Sequence, residues 1–134
     1  MSPSPEPLWS DWIDIPAAES NRGPFAGRSG VYQIRAIGGA GADPIPIPRL
    51  GCVDYSGLLY IGCSKHCIAR RLRTFRRIHR PYLLVVTRLP RHELQARAML
   101  LPAGEAYVEE QREIARYGEE FGEGPPCNRN AARR

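Results

Sequence analysis

Alternating and clustered apolar residues divide the N-terminal half of the chain into predicted strands. Gly30 opens the segment GVYQIRAI, whose apolar positions predict a first strand. A second strand is predicted at about Val53 to Ile61. The two strands should pair antiparallel across a long connection, in which Pro44, Pro46 and Pro48 should block any ladder.

The periodicity changes after the second strand and predicts a helix with one apolar face. Ser64 stands where an N-cap would, and the helix should end before Pro81. At about 100° per residue, Ile68, Leu72 and Phe75 share one face of this helix. That face should pack on the sheet.

The C-terminal part is predicted to contribute one more strand and a last helix. The run YLLVVTRL predicts a third strand at Tyr82 to Leu89, followed by a helical piece at Arg91 to Leu101. The last helix should cover about Ala103 to Tyr117, and Gly118 or Gly122 should end it. The pattern predicts an α/β protein of the α+β type, with a small three-stranded, mostly antiparallel sheet flanked by helices.

Length and composition predict one domain with an N-terminal arm. The 134 residues suffice for a core, and residues 1–29, rich in Pro, Ser and Gly, should form an arm packed on the domain of residues 30–134. The longest apolar run is far shorter than a membrane span, and the N-terminal segment lacks the features of a secretory signal. We therefore expect a cytoplasmic protein that does not enter a membrane.

Four cysteines allow two interpretations. Cys63 and Cys67 lie four residues apart with His66 between them, a spacing that a small zinc-dependent interaction domain could use. Zinc-binding cysteines usually come in two close pairs, however, and this single pair falls on a predicted helix. We favour free thiols, which also suit a reducing compartment.

The net charge of +5 conceals two blocks of opposite sign. Residues 65–80 contain seven basic residues and no acid, whereas residues 105–123 contain seven acids and two arginines. The first block would attract a polyanion, and the second could hold a cation.

Two charged residues lie close to the apolar faces of their predicted helices. Arg71 is about 60° from Ile68, so its stem should follow the core edge and its guanidinium should emerge near the sheet. Glu110 lies in an inward stripe with Ala106 and Ile114. A carboxylate facing a core is costly unless it is paired or bound to a cation. Glu110 therefore either forms a salt bridge with an arginine of the other helix or binds a cation.

Five short pieces follow one another in a distinctive order. They are GVY, LYIG, an arginine on the next helix, a glutamate on a later helix, and PPCN near the C terminus. In this order the chain resembles the GIY-YIG nuclease family from about Gly30 to Asn128. Each triplet alone is a weak signal, but the ordered set is specific. Residues 36–57 make the interval between the tyrosine motifs longer than is usual in the family, and this insertion could shape substrate choice.

The resemblance implies an endonuclease that hydrolyses DNA phosphodiester bonds with one Mg²⁺ or Mn²⁺ ion. Glu110 would bind the metal, and Arg71, or alternatively Arg70, would bind the phosphate. Tyr32 would activate or orient the attacking water with support from Tyr60. The catalytic set is thus Tyr32, Tyr60, Arg71, Glu110 and Asn128, and we add Lys65 as a group that neutralises the phosphate or assists the water.

The remaining arginines of the basic helix are candidates for contacts with flanking phosphates. They are Arg70, Arg73 and Arg77, with Arg76 and Arg80 beside them. A solvated helix face is the other interpretation of this charge. The alternative function is a catalytically inactive nucleic-acid-binding module of the same fold, and a homodimer is expected by analogy alone.

Overall fold

The computed structural model describes residues 8–38, 43–87 and 93–128, with the backbone alone for 78–87. Its strands are β1 Ile13–Asp14, β2 Gly30–Ile37, β3 Ile47–Arg49, β4 Cys52–Asp54, β5 Leu58–Ser64 and β6 Glu93–Leu100. Its helices are α1 Ile15–Ala18, α2 Ile68–Thr87 and α3 Ala103–Phe121, followed by a 3-10 turn at Pro126–Asn128. The predicted α+β class is confirmed. Among these residues the main sheet has four strands rather than three, in the order β1, β6, β2, β5, and is antiparallel throughout.

Strand β2 lies at the centre of the structure. It pairs antiparallel with β5 on one side and with β6 on the other, so the predicted first strand and its antiparallel pairing with the second are confirmed. All of β2 except Arg35 is buried, because each face of the sheet is covered. Helix α2 packs on one face through Ile68 and Leu72, and α3 packs on the other through Tyr117.

The proline-rich connection departs from its prediction. Strands β3 and β4 form a two-stranded antiparallel ribbon with Pro48 opposite Val53, so the expectation that prolines would block any ladder was wrong. A ribbon strand needs ladder bonds on one side alone, which leaves a place for a residue without an N–H group. The predicted strand from Val53 to Ile61 is likewise divided into β4 and β5, with a turn at Gly57, where φ is 71°.

The prediction exchanged a strand and a helix in the second half of the chain. Helix α2 continues through Pro81 to Thr87, so the strand predicted at 82–89 is wrong over 82–87, and 88–89 lie outside the described residues. The third long strand is β6, within the segment predicted as helical. An apolar run does not separate helix from strand by itself, and pairing with β2 outweighs the helical preference of Ala96 and Ala98.

The described part of the N-terminal arm, residues 8–29, packs against both faces of the sheet. Strand β1 pairs with the edge of β6, and Trp12 packs on the α3 side. Ile15 and Phe25 join the core on the α2 side. None of the helices in the described part of the chain is long and apolar enough to cross a membrane.

Helix α3 begins where it was predicted and ends one turn later. It runs to Phe121. Gly122, one of the two predicted end points, ends the helix in the left-handed conformation with φ of 79°. Ala106 and Tyr117 are buried on its sheet side. This helix therefore packs against β5 and β2 through that side.

Candidate active site

The antiparallel pairing of β2 with β5 brings two tyrosines together. Tyr32 lies opposite Gly62, and Tyr60 is two residues before that glycine on the same face. The ring centroids are 6.1 Å apart, and the two side chains share a hydrogen bond. A Cβ atom at Gly62 would come within 2.5 Å of Tyr32 Cζ and 2.7 Å of Tyr60 Cε1. A side chain at this position would have to displace one of the two rings, so glycine leaves room for both.

One positive and one negative residue influence the pKa values of the two tyrosines. Burial raises the pKa of Tyr32 well above its ordinary value, the neighbouring Tyr60 raises it further, and the charge of Arg71 partly opposes this. Burial and then the charge of Glu110 raise the pKa of Tyr60. Both phenols are consequently neutral near pH 7, and the charges of Arg71 and Glu110 influence the pKa values of both.

Arg71 lies in the first turn of α2, beside the buried apolar stripe. The predicted stripe is confirmed, since Ile68, Leu72 and Phe75 are all buried, and the Phe75 ring lies 4.9 Å from that of Tyr60. Arg71 itself is exposed and forms no ion pair with any residue that the structure describes. Its charge lowers the pKa values of Tyr32, Tyr60 and Cys63. Arg70 and Arg71 both line the cleft described below, and the preference for Arg71 stays a prediction.

Glu110 is half-buried on α3 and is held by neutral donors. The Cys63 thiol interacts with its carboxylate, and Gln111 Nε2 donates to Oε1 at 3.0 Å. Burial and the charge of Glu110 raise the pKa of the Cys63 thiol to about 11. Within the described residues Glu110 forms no ion pair, so the salt bridge considered from the sequence is not seen there.

A cleft of about 850 Å³ opens between the start of α2 and the start of α3. This volume falls within the range typical of ligand sites, roughly 300 to 1,000 Å³. Tyr32, Tyr60 and Glu110 do not line the cleft. Arg71, which interacts with both tyrosines, and Cys63, which interacts with all three residues, do line it. Its lining contains no acid and consists of Cys63, Ser64, Lys65, His66, Cys67, Arg70, Arg71, Thr74 and Tyr107.

The turn between β5 and α2 forms part of this cleft. Ser64 is the last residue of β5 and not the residue next to the first helical turn, since α2 begins at Ile68. Its hydroxyl accepts hydrogen bonds from the N–H groups of Cys67 at 2.9 Å and His66 at 3.3 Å. The turn exposes Lys65 and His66, and it places the Lys65 ammonium where its charge reaches Cys63.

Asn128 supports the site from the edge of the sheet. Its Oδ1 accepts a hydrogen bond from the Ile61 N–H at 3.0 Å, and its Nδ2 donates to the Ile61 carbonyl at 2.9 Å. The side chain is buried and thus continues the ladder beyond the edge strand β5. Asn128 fixes the backbone between Tyr60 and Gly62 and, like Tyr32, Tyr60 and Glu110, does not line the cleft.

The outer arginines of α2 fall into two groups. Arg73 donates to the Glu19 carbonyl at 2.6 Å, and Arg76 forms an ion pair with the Glu19 carboxylate at 2.7 Å. Arg70 and Arg77 form no ion pair with a described residue, and the side chain of Arg80 lies outside the described part. A groove that shares Arg70 with the cleft is lined by Arg70, Arg73, Thr74, Arg76 and Arg77.

Sequence reasoning missed three residues near the site. Cys63 follows Tyr60 by three positions on a strand, which sends its side chain to the opposite face, toward Glu110. Tyr107 precedes Glu110 by three positions on a helix, a spacing that places both on one side. Glu113 is the most buried acid of α3, with 7% exposure, and its spacing of seven from Ala106 was the available signal.

The cysteines are free thiols, as predicted. Cys52 is exposed, Cys63 and Cys67 are half-buried, and Cys127 is buried, where desolvation raises its pKa to about 12. Across residues 8–38, 43–87 and 93–128, no group of three His, Cys, Asp or Glu side chains is close enough to share a metal ion. The zinc-dependent interpretation thus receives no support from the cysteine positions.

Comparison of the chain with protein-family models, with curated proteins and with solved structures found no match. The resemblance to GIY-YIG nucleases consequently depends on the residues of this sequence alone.

Proposed function

We propose that this protein is a metal-dependent endonuclease of the GIY-YIG type, which hydrolyses DNA phosphodiester bonds with one divalent cation. One observation carries the proposal. Arg71 and Glu110 come from helices on opposite faces of the sheet, yet the charge of Arg71 lowers and that of Glu110 raises the pKa values of the same two tyrosines. Neither charge is neutralised by an ion pair with a described residue. A phosphate beside Arg71 and a cation beside Glu110 would satisfy both charges.

The donor set around Glu110 fits a small, hard cation. Mg²⁺ and Mn²⁺ prefer oxygen ligands, and Mg²⁺ is commonly held by one or two carboxylates while it keeps several waters. Glu110 offers one half-exposed carboxylate, and a zinc ion would need three or four nitrogen, sulfur or oxygen ligands that the described residues do not assemble. When bound, the cation would supply positive charge next to the phosphate as that group gains negative charge.

The residues of the chain would bind the phosphate and orient the attacking water. The guanidinium of Arg71 can donate two hydrogen bonds to phosphate oxygens, and Lys65 at the cleft adds a second positive charge. Because burial raises the pKa values of Tyr32 and Tyr60, these phenols act as neutral hydrogen-bonding groups that orient the water rather than as strong bases. Asn128 is a positioning residue that holds the strand carrying Tyr60.

The surroundings suit a DNA-binding protein of the cytoplasm. Arg70 and Arg77, which are not ion-paired with described residues, would contact phosphates that flank the cleavage site. Four free thiols fit the reducing cytoplasm, where we place this activity. A homodimer would give a protein of this size two sites with which to cut both strands.

Plasmid nicking in Mg²⁺ or Mn²⁺ tests the proposal. We expect wild-type protein to nick the plasmid and to lose this activity in EDTA. Glu110→Gln and Arg71→Ala should each lower the rate on the order of 10² to 10³-fold, because each removes one charge that stabilises the transition state. Glu109→Gln is the matched control, since Glu109 is the adjacent acid and is already ion-paired with Arg112.

The outcomes separate the two functions. If Glu110→Gln and Arg71→Ala nick as fast as wild type, the site is wrongly assigned. Wild-type protein that binds DNA and leaves the plasmid intact in either metal would instead support the inactive binding module, which the burial of Tyr32 at 3% exposure favours.

A further inference from the structure

An exposed aromatic ring stands at the rim of the proposed cleavage cleft. Tyr107, near the start of α3, is 57% exposed and lines the cleft together with Arg70, Arg71 and Lys65. A large ring left in solvent beside a charged cleft contributes little to the core. Its position instead suits contact with a bound molecule.

The local sequence keeps one side of this ring accessible. Helical side chains lean toward the N terminus of their helix, over the residues three and four positions earlier. For Tyr107 these are Gly104 and Ala103, which carry no bulky side chain. A Cβ atom at Gly104 would have no neighbour within 4 Å. No side chain of the preceding turn therefore covers the ring.

The ring is one helical turn from the proposed metal ligand. Residues three apart on a helix have Cβ atoms about 5 to 6 Å from each other, so Tyr107 and Glu110 are neighbours. The cations of the cleft come from the start of α2 and the turn before it. The cleft therefore combines cationic groups from α2 and the turn before it with an aromatic ring from α3. This ring lies close to the proposed metal ligand Glu110.

We propose that the cleft takes DNA with at least one unpaired nucleotide, whose base stacks on Tyr107 while its phosphate lies beside Arg71. This inference rests on the proposed nuclease function and names its substrate class. Proteins that bind single strands combine a cationic track for the backbone with aromatic side chains for the bases. In an intact duplex both faces of each internal base are stacked on neighbouring bases, so the ring of Tyr107 would have no base to contact.

Fluorescence anisotropy with two labelled probes tests the inference at one fixed salt concentration. The probes are a 15-nucleotide thymidine strand and a blunt-ended duplex in which every nucleotide is paired, both in EDTA so that nothing is cleaved. Tyr107→Ala should weaken binding of the single strand about 5- to 100-fold, the range found for loss of one base–aromatic stack, and should change duplex binding less than about twofold. Tyr107→Phe keeps the ring and should bind like wild type.

Tyr55→Ala is the matched control, because Tyr55 is 72% exposed and does not line the cleft. It should leave binding of both probes unchanged. Replacing the bases of the single strand by abasic sites should weaken its binding to wild type and have little effect on Tyr107→Ala.

Several results would overturn the inference. They are wild-type affinity of Tyr107→Ala for the single strand, equal losses on both probes, or a change in oligomeric state that accounts for the loss. In each case plasmid nicking by wild-type protein would leave the nuclease proposal standing. If wild-type protein binds neither probe and nicks no plasmid, the proposed function fails and the inference fails with it.

Discussion

Two acids on the same helix differ in whether an arginine already engages them. Glu110 and Glu113 are three residues apart on α3, and Glu113 is the more buried. Glu113 accepts hydrogen bonds from Arg116 Nη1 at 3.1 and 3.2 Å, and the charge of Arg97 also reaches it. Glu110 receives a thiol and an amide instead. The helix thus neutralises one acid with arginine and leaves the charge of the other available for a cation.

The burial of an acid on this helix and its availability to a metal ion are different properties. Burial raises the pKa of Glu113, the charge of Arg116 lowers it, and a hydrogen bond with Glu109 raises it. Its surroundings already satisfy it, so a metal ion would have to displace an arginine. Glu110 has no such competitor among the described residues. The proposed metal ligand of α3 is therefore not its most buried acid.

The largest expected difference between the two acids concerns metal affinity. Glu110→Gln should lower the affinity for Mn²⁺ about 10²-fold or more, since it removes the charged oxygen ligand, and this corresponds to about 2.7 kcal/mol or more. Glu113→Gln should leave it within about twofold, as expected when the carboxylate is engaged by an arginine. Isothermal titration calorimetry of the apo protein with Mn²⁺ measures both. Equal losses in the two variants would remove the distinction between them.

Gly62→Ala is expected to disturb the side of the sheet that carries the tyrosines. The new methyl group would come within 2.5 Å of Tyr32 Cζ, and overpacking of this kind costs about 1 to 3 kcal/mol of unfolding free energy. Urea denaturation measures the loss. The surroundings of Glu113 on the opposite face should be unaffected.

Gly118→Ala is the control for this change. It also adds one methyl group, but in the interior of α3 where a Cβ atom would have no neighbour within 4 Å. It should stabilise the protein by about 0.5 to 1 kcal/mol through helix propensity. A Gly62→Ala variant as stable as wild type would show that the two tyrosine rings can move apart at little cost.

The sequence predicted the parts of the site that lie on regular elements with a clear period. Tyr32 and Tyr60 belong to paired strands, and Arg71 follows from the apolar stripe that begins at Ile68. These positions depend on local periodicity and on pairing of neighbouring segments, both of which can be read from the order of residues.

The parts that could not be predicted depend on contacts between distant segments. β6 is a strand because it pairs with β2, more than fifty residues earlier in the chain, and the run at 82–87 continues α2 instead of forming a strand. The hydrogen bonds of Asn128 with β5 and the contact of Cys63 with Glu110 likewise join segments that are far apart in the sequence. No local pattern marks such contacts. Sequence periodicity therefore assigned the wrong element to 82–87 and to β6, and it did not predict the contacts of Asn128 and Cys63.

The pH dependence of stability sharpens the comparison of the two acids further. Because the pKa of Glu113 is raised in the folded protein, the folded state binds more protons than the unfolded state, and ionisation of Glu113 costs stability as the pH rises through that pKa. Glu113→Gln should therefore be more stable than wild type at pH 7, by less than about 1 kcal/mol, and equally stable below about pH 4. Thermal unfolding from pH 4 to pH 8 measures this. A variant that is less stable at pH 7 would show that the Arg116 contact outweighs the cost of burial.

The smallest predicted effect concerns the arginines of α2, which also differ in whether an acid is ion-paired with them. Arg71 is not ion-paired with a described residue, whereas Arg76 is engaged by Glu19 at 2.7 Å. Glu19→Gln should release Arg76 for phosphate contact and tighten duplex binding about two- to fivefold at low salt, as expected for loss of an exposed ion pair. Anisotropy measures the change, which should disappear at high salt. Glu109→Gln alters the net charge equally but lies on α3, so equal tightening by both variants would attribute the effect to overall charge rather than to Arg76.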